Sequence, residues 1–408
     1  MSWKAQISLA FFAQLLVIAC LNMSDPYWPL ILHHLNQSIA PSQVQYWSAA
    51  VLMVPFAFTI IATPIWTHLG DRFGHKKMLL RAGFVLALTQ VLTGLTAQPW
   101  AILAIRLLQG VFAGFTAAAS AWAISISRSP THNHVLGRMQ AATAVGAIVG
   151  PLFGGVVAHY WGYHAIFFSS GVACALMMLV LTNFLIESPP RRAKLAGSER
   201  QGPPKKGLYY VLFLICFTQG ARWMSASYFA LYVTHRLGGS NLTVGMLYAL
   251  IALAIFISAP RWGILVDQQI SNLRRVKVIF MLTLLGASLT QYLFAASTQL
   301  WLAVVAALLW GVCLGAISLI PFTLLIKESG QEVKGHLIGL GASASKLGNL
   351  IGVAAGASIQ AASNFTWSFI AIGLIYGILG ALLGILLLQS SRAEYAETLY
   401  SNAWLPNE

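Results

Sequence analysis

Charge is what this chain has least of. Acidic residues number 10 in 408, and charged residues of both signs together make up 8%, against about a quarter in ordinary soluble domains. With 58% hydrophobic residues as well, the chain is excluded as a soluble enzyme, a disordered segment or a fibrous repeat. A polytopic helical membrane protein with no sizeable aqueous domain remains. Cysteine is scarce too. Cys20, Cys174, Cys216 and Cys313 all sit in apolar runs without CxxC spacing, which argues against a disulfide frame or a metal site. His33-His34 and His132-Asn133-His134 lack ligand partners at helical spacing, so no metal and no cofactor is expected. A phosphate-cradling Walker loop is missing, which excludes ATP-driven chemistry by this chain alone. The first apolar run has no cleavage site and outlasts a signal-peptide core, so it reads as a membrane span.

What is present is hydrophobic length. Twelve stretches reach the roughly 20 apolar residues that a crossing needs: 6–32, 44–66, 78–97, 99–125, 135–158, 163–186, 208–235, 243–266, 277–297, 300–326, 337–362 and 366–390. The segment 187–207, rich in Pro, Gly and charge, cannot span. The expected organisation is a six-helix bundle over 1–186, a basic linker over 187–207, a second bundle over 208–390 and a tail over 391–408. Formal charge is +14, which in a soluble protein suggests nucleic acid. Placing the N-terminus inside puts 20 of the 24 cations in cytoplasmic segments or at the cytoplasmic ends of spans; Arg236 falls outside, and Arg106, Arg222 and Lys346 lie deeper within spans. The excess is therefore topology: both termini are expected in the cytoplasm, with a lipid bilayer and not nucleic acid as the partner.

The two halves echo each other. LQGVFAGF (108–115) returns as LWGVCLGA (309–316), and Gly146, Gly150 and Gly154 return as Gly348, Gly352 and Gly356. Parallel repeats of this kind imply a pseudo-two-fold axis along the membrane normal and a binding site at the midplane. Three motifs then carry a family resemblance. The junction of the second and third spans holds Thr67, Asp71, Arg72, Gly74, Lys76 and Lys77, similar to GxxxDRxGxRR with Thr67 replacing the first Gly. The fourth span holds Arg106-Leu-Leu-Gln109-Gly110, like RxxQG, and the fifth runs Gly146-Ala-Ile-Val-Gly150-Pro151-Leu-Phe-Gly154-Gly155, matching GxxxGPxxGG without departure. Over essentially its whole length the chain resembles the major facilitator superfamily, and within it the drug:proton antiporters of the MdtG-type multidrug branch.

The resemblance implies an all-α fold of twelve transmembrane helices in two pseudo-symmetric six-helix bundles. It also implies a cytoplasmic gate at Asp71, Arg72, Gly74, Lys76 and Lys77, with Asp267 in the weaker second-half copy. Small residues at Gly146, Gly150, Gly154 and Gly155 allow close helix approach, and Pro151 permits bending. The residues themselves add more. Asp25 is the one acid inside a span, and intramembrane charges usually face a cavity or a partner. Asp25 and Arg106 both fall in the outer half; the resemblance implies that the first and fourth spans lie side by side on the cavity, so the two residues are expected to pair and to carry proton coupling. Arg222 and Lys346 lie near the midplane with no acid in the second-half spans to neutralise them. Cations so placed point to an anionic group on the substrate. Tyr27, Trp28, Trp122, Trp223, Tyr228 and Trp310 are either cavity lining or lipid-facing rings, and Asn22, Gln109 and Gln219 are candidate polar contacts.

The leading functional expectation is a proton-coupled exporter of small amphipathic molecules, a drug or a siderophore-like metabolite, working by alternating access in the inner (cytoplasmic) membrane as a monomer. An importer or facilitator of an organic anion with the same fold competes with it. An intramembrane enzyme is disfavoured, because the spans hold one carboxylate and no histidine at hydrogen-bond spacing from it.

Overall fold

A computed structural model describes residues 3–35, 41–112, 114–127, 132–186, 206–269, 272–328 and 334–403. Every regular element among them is helical. Where no water reaches the hydrocarbon, a backbone that bonds within its own segment is one of the few that survive. Twelve helical segments run back and forth. In the first half they are α1 (Trp3–Asn22, then Asp25–Tyr27 and Trp28–Leu35), α2 (Pro41–Phe73), α3 (His75–Gly94), α4 (Pro99–Val111 and Phe115–Ile126), α5 (His132–Trp161) and α6 (Tyr163–Phe184). In the second they are α7 (Lys206–Trp223, then Met224–Ser227, Phe229–Leu231 and Tyr232–Arg236), α8 (Asn241–Gln268), α9 (Leu273–Ala296), α10 (Leu300–Glu328), α11 (Lys334–Ala362) and α12 (Phe365–Ala403).

Ten of the segments are long and apolar enough to cross a membrane by themselves. The other two are the interrupted α7 and α11, whose run of Gly, Ser and Lys346 dilutes it. An even number of crossings returns both chain ends to one face, the terminal end; the opposite face is the far end. Leucines such as Leu88, Leu179, Leu289 and Leu388 are exposed along the sides, as the lipid-facing surface of a membrane bundle requires. α12 continues to Ala403 as helix, past the 390 expected for its end. Of the expected linker, 187–205 lies outside the described residues.

The sequence echo is a structural echo. A Cβ placed on Gly146, Gly150 or Gly154 of α5 would come within 2.6, 2.5 and 2.1 Å of the carbonyl oxygens of Leu15, Ala19 and Met23 on α1. On α11, Gly348, Gly352 and Gly356 stand to Cys216, Gly220 and Met224 of α7 in the same way, at 2.1, 2.0 and 1.9 Å. The missing Cβ is what lets the backbones touch. Gly110 of α4 packs on Pro55 of α2, and its counterpart Gly311 of α10 packs on Ile251 of α8. Trp66 donates its indole N–H to the Val111 carbonyl at 2.7 Å, and Trp262 does the same to Val312 at 2.9 Å. Gly352→Ala is therefore expected to destabilise by roughly 1–3 kcal/mol through overpacking. Gly137→Ala, with nothing within 4 Å of the new methyl, should be neutral or stabilising by up to ~1 kcal/mol. Thermal unfolding of the detergent-solubilised variants checks the order, and equal shifts would refute the contact.

Both leading helices break at equivalent heights, α1 after Asn22 and α7 after Trp223. In α1, Pro26 and Pro29 withdraw backbone donors; α7 breaks without a proline. Two more joints need glycine. Gly74, with φ of 99°, is the one non-helical residue between α2 and α3, so the GDRFGHKK junction is a helix end, a hinge residue and a helix start. Gly114, with φ of 111°, opens α4 just beyond Phe112, whereas its echo Gly315 stays within the unbroken α10.

Candidate functional site

Between the halves lies a cavity of about 290 Å³. α1, α2 and α5 wall it on one side, through Asn22, Asp25, Pro26 and Pro151 among others; α7, α8 and α10 wall it on the other, through Arg222, Trp223, Tyr248 and Trp310. At the far end it is closed. Gly155 of α5 and Gly245 of α8 approach so nearly that a Cβ on either would lie 3.2 Å from the other's Cα. The hydrogen bonds that join the halves between described residues are here as well, from the Tyr27 and Tyr163 hydroxyls to Asn241. The exposed wall residues, Ala144 and Phe256, lie on the terminal side of that closure.

Asp25 and Arg106 are brought together. The carboxylate Oδ1 stands 3.5 Å from the Arg106 Nη2, with the arginine side chain 6% and the aspartate side chain 28% exposed. Arg106 also donates to the Gln109 Oε1 at 3.1 Å and to the Ser24 Oγ at 3.4 Å, and its guanidinium lies 4.4 Å from the centre of the Trp28 ring. A buried cation is tolerable only when held on several sides, and here a carboxylate, an amide, a hydroxyl and a π-face do so. Asp25 is both a partner of this cluster and part of the cavity wall. The site therefore joins a buried ion pair to the cavity between the halves.

Arg222 is different. It lines the cavity, donates to the Ser318 Oγ at 3.4 Å, and has no acidic partner among the described residues. Trp223 and Trp310 flank the same space, with Trp223 edge-on to Phe56 of α2.

Other residues expected at the site lie elsewhere. Trp122 is buried in the core of the first half and donates to the Ile186 carbonyl at 3.0 Å. Tyr228 is buried in the second half against Phe365 and Phe369. Lys346 is half-buried on α11 and off the cavity walls. Gln109 serves Arg106 and Trp28 stacks beneath it, so neither touches the cavity, and Gln219 is buried outside it. Asn22 does line it, with its amide donating to the Ile18 carbonyl at 2.8 Å. Tyr27 is directed to the far-end closure. The sequence reading also passed over Ser24, Tyr248, Asn241 and Ser318. Ser24 had a local signal in its neighbour Asp25; Ser318, in an apolar helix, had none.

At the terminal end Arg72, Lys77 and Asp267 are exposed, and the Asp71 side chain lies outside the described residues. Lys76 donates to the carbonyls of Thr182 at 3.0 Å and Leu185 at 2.6 Å, fastening α3 to α6 within one half. Among the described residues no group of three or more His, Cys, Asp or Glu is placed to hold a metal ion.

Comparison with known proteins agrees with this architecture. The Major Facilitator Superfamily model matches residues 10–219 and again 211–403. The chain is similar to a staphyloferrin B transporter of Staphylococcus aureus, 27% identical over 92% of this chain and 91% of that protein. It is also similar to the multidrug resistance protein MdtG of Citrobacter koseri, 30% identical over 89% and 90%. Among solved structures, an inward-facing bacterial homologue of the human lysosomal transporter Spinster superposes with a TM-score of 0.74 at 14% identity, covering 94% of this chain and 97% of that one.

Proposed function

This chain belongs to the major facilitator superfamily and is a membrane transporter, not an enzyme, and from that premise we propose that it exports small amphipathic molecules in exchange for protons by alternating access. The observation that carries the reading is the Asp25–Arg106 pair in the cavity wall. Neutralising Asp25 removes the charge that holds Arg106, so one proton changes both the packing of α1 on α4 and the electrostatics of the space beside it. Coupling needs such a group, because an ion drives a conformational cycle only if its binding differs between the two states.

The terminal end faces the cytoplasm on this reading, since the loops there carry nearly all the cations outside the membrane; the membrane is the bacterial inner membrane. The cavity closed at the far end is then the cytoplasm-facing state, ready to take up cargo. Arg222 supports cargo with an anionic group, and the rings of Trp223, Trp310 and Tyr248 support an apolar body. One relative is a staphyloferrin B transporter and others are multidrug resistance proteins, so siderophores and drugs are the classes to try. One chain encloses the whole cavity, so a monomer suffices.

The test uses inside-out vesicles with an acidified lumen and a pH dye, challenged with polycarboxylate metabolites, neutral drugs and amphipathic cations. The expected result is loss of the gradient on adding a substrate to wild type and no response in Asp25→Asn. Equal proton movement in the two would overturn the coupling role of Asp25.

A further inference from the structure

The residue that shuts the far end sits on the same turn as the acid. Asp25, Pro26 and Tyr27 form one turn of 3-10 helix inside α1. Around it, the segment 24–28 grips Arg106 of α4 on one side, through the Ser24 hydroxyl, the Asp25 carboxylate and the Trp28 ring. On the other side Tyr27, fully buried, points its hydroxyl at the junction of α5 and α8. Its one O–H is shared between the Pro151 carbonyl at 3.0 Å and the Asn241 carbonyl at 3.3 Å. A Cβ on Gly155 or Gly245 would come within 2.7 Å of that hydroxyl. The two glycines are thus what admits Tyr27 between the halves. From α6, the Tyr163 hydroxyl donates to the Asn241 Oδ1 at 3.1 Å, fixing the residue that Tyr27 meets.

We infer that Tyr27 is the positioning residue that ties the proton on Asp25 to closure of the far end: the charged Asp25–Arg106 pair holds the turn where Tyr27 latches α5 to α8, and protonating Asp25 releases the latch. This rests on the proton-coupled reading above. The turn is short, and Pro26 fixes its own φ, so a shift at Asp25 is passed on to the residue two places along. Linkage then runs in both directions. With the far end open, the pair is loosened and Asp25 takes a proton from that side. Closing reseats Tyr27 and re-forms the ion pair, and the proton leaves Asp25 into the cavity it lines, open toward the terminal end. One proton is bound and one released per cycle, with no other covalent change.

Other titratable groups surround the turn: Arg106 on α4, Tyr163 on α6, Tyr248 on α8 and Arg222 across the cavity. At the far end His33 and His235 face each other across the halves with ring centres 6.2 Å apart, and His34 packs on Tyr163. The histidine pair offers a reporter. In full-length protein with Cys20, Cys174, Cys216 and Cys313 replaced by alanine, His33→Cys and His235→Cys are joined by a short bifunctional maleimide, and the cross-linked fraction measures closure. Using those positions also removes the two histidines from the titration, while His34 remains in every arm.

The cross-linked fraction is expected to fall as the medium is acidified. Tyr27→Phe should lower the closed-to-open ratio at neutral pH about three- to tenfold, as expected for one lost hydrogen bond, and flatten the pH dependence. Asp25→Asn should give the same low, flat profile. Tyr163→Phe loosens Asn241 without touching the turn, so it should lower closure while keeping the pH dependence. A Tyr27→Phe profile identical to the parent, or pH dependence that survives Asp25→Asn, overturns the inference. Transport separates the two levels. If Tyr27→Phe moves protons with substrate as wild type does while Asp25→Asn does not, the latch fails and the exporter reading stands; if Asp25→Asn transports normally, proton coupling itself fails.

Discussion

Arg106→Ala is expected to abolish substrate-driven proton movement and to destabilise the first half by about 2 kcal/mol. Breaking a fully buried ion pair by removing one partner costs roughly 3–5 kcal/mol. The smaller value follows from the Asp25 side chain keeping 28% exposure toward the cavity, where water screens the orphaned charge. The variant also strips Gln109, Ser24 and Trp28 of their common partner. Arg106→Lys should retain more stability but not function, because an ammonium cannot present the planar fork that meets Ser24, Asp25 and Gln109 together while lying on the indole. A double variant, Asp25→Asn with Arg106→Gln, removes both charges and should recover most of the stability of Arg106→Ala without recovering coupling. Thermal unfolding and vesicle proton assays on the four proteins check this. If Arg106→Ala unfolds like wild type, the pair holds nothing in place.

Which features could be read from the sequence follows from the physics of lipid-embedded helices. Hydrophobic length showed the crossings, because the bilayer sets a minimum run. The glycine repeats foretold α5 on α1 and α11 on α7, because an absent Cβ is a contact signal in itself. Asp25 and Arg106 stood out as charges in an apolar context, and they meet. Which face of a helix lines the cavity was much less legible. A soluble helix marks its buried side with apolar residues, but a membrane helix is apolar all round. Trp122, Tyr228 and Trp310 sit on helices of similar composition, and only Trp310 reaches the cavity. Tyr27 illustrates the same limit at finer scale: it is two residues from Asp25, but the 3-10 turn sends it to the opposite side. The break in α7 had no proline to announce it, whereas the break in α1 had two.

Arg222→Gln is expected to weaken anionic cargo selectively. In the wild-type chain the Arg222 guanidinium has one described hydrogen-bond partner, the Ser318 hydroxyl at 3.4 Å, at the outer limit of such a bond. Most of its donors are thus available to a ligand in a space it shares with Trp223, Trp310, Phe229 and Ile251. A carboxylate there gains a charge-assisted hydrogen bond of about 1.5–3 kcal/mol, so losing it should reduce apparent affinity for a polycarboxylate roughly ten- to hundredfold. Neutral amphipathic cargo keeps its contacts with the rings and should change little, and a cationic compound should bind better once the like charge is gone. Asp25 gives the cavity its opposite sign on the first-half wall, so selectivity between anion and cation is a balance of two charges on different halves. Arg222→Gln shifts that balance toward cations, and Asp25→Asn shifts it toward anions at the cost of coupling. Competition binding on both variants, with one anionic, one neutral and one cationic compound, separates the effects. A uniform loss across all three for Arg222→Gln would mean that Arg222 supports the cavity wall and reads no charge on the cargo.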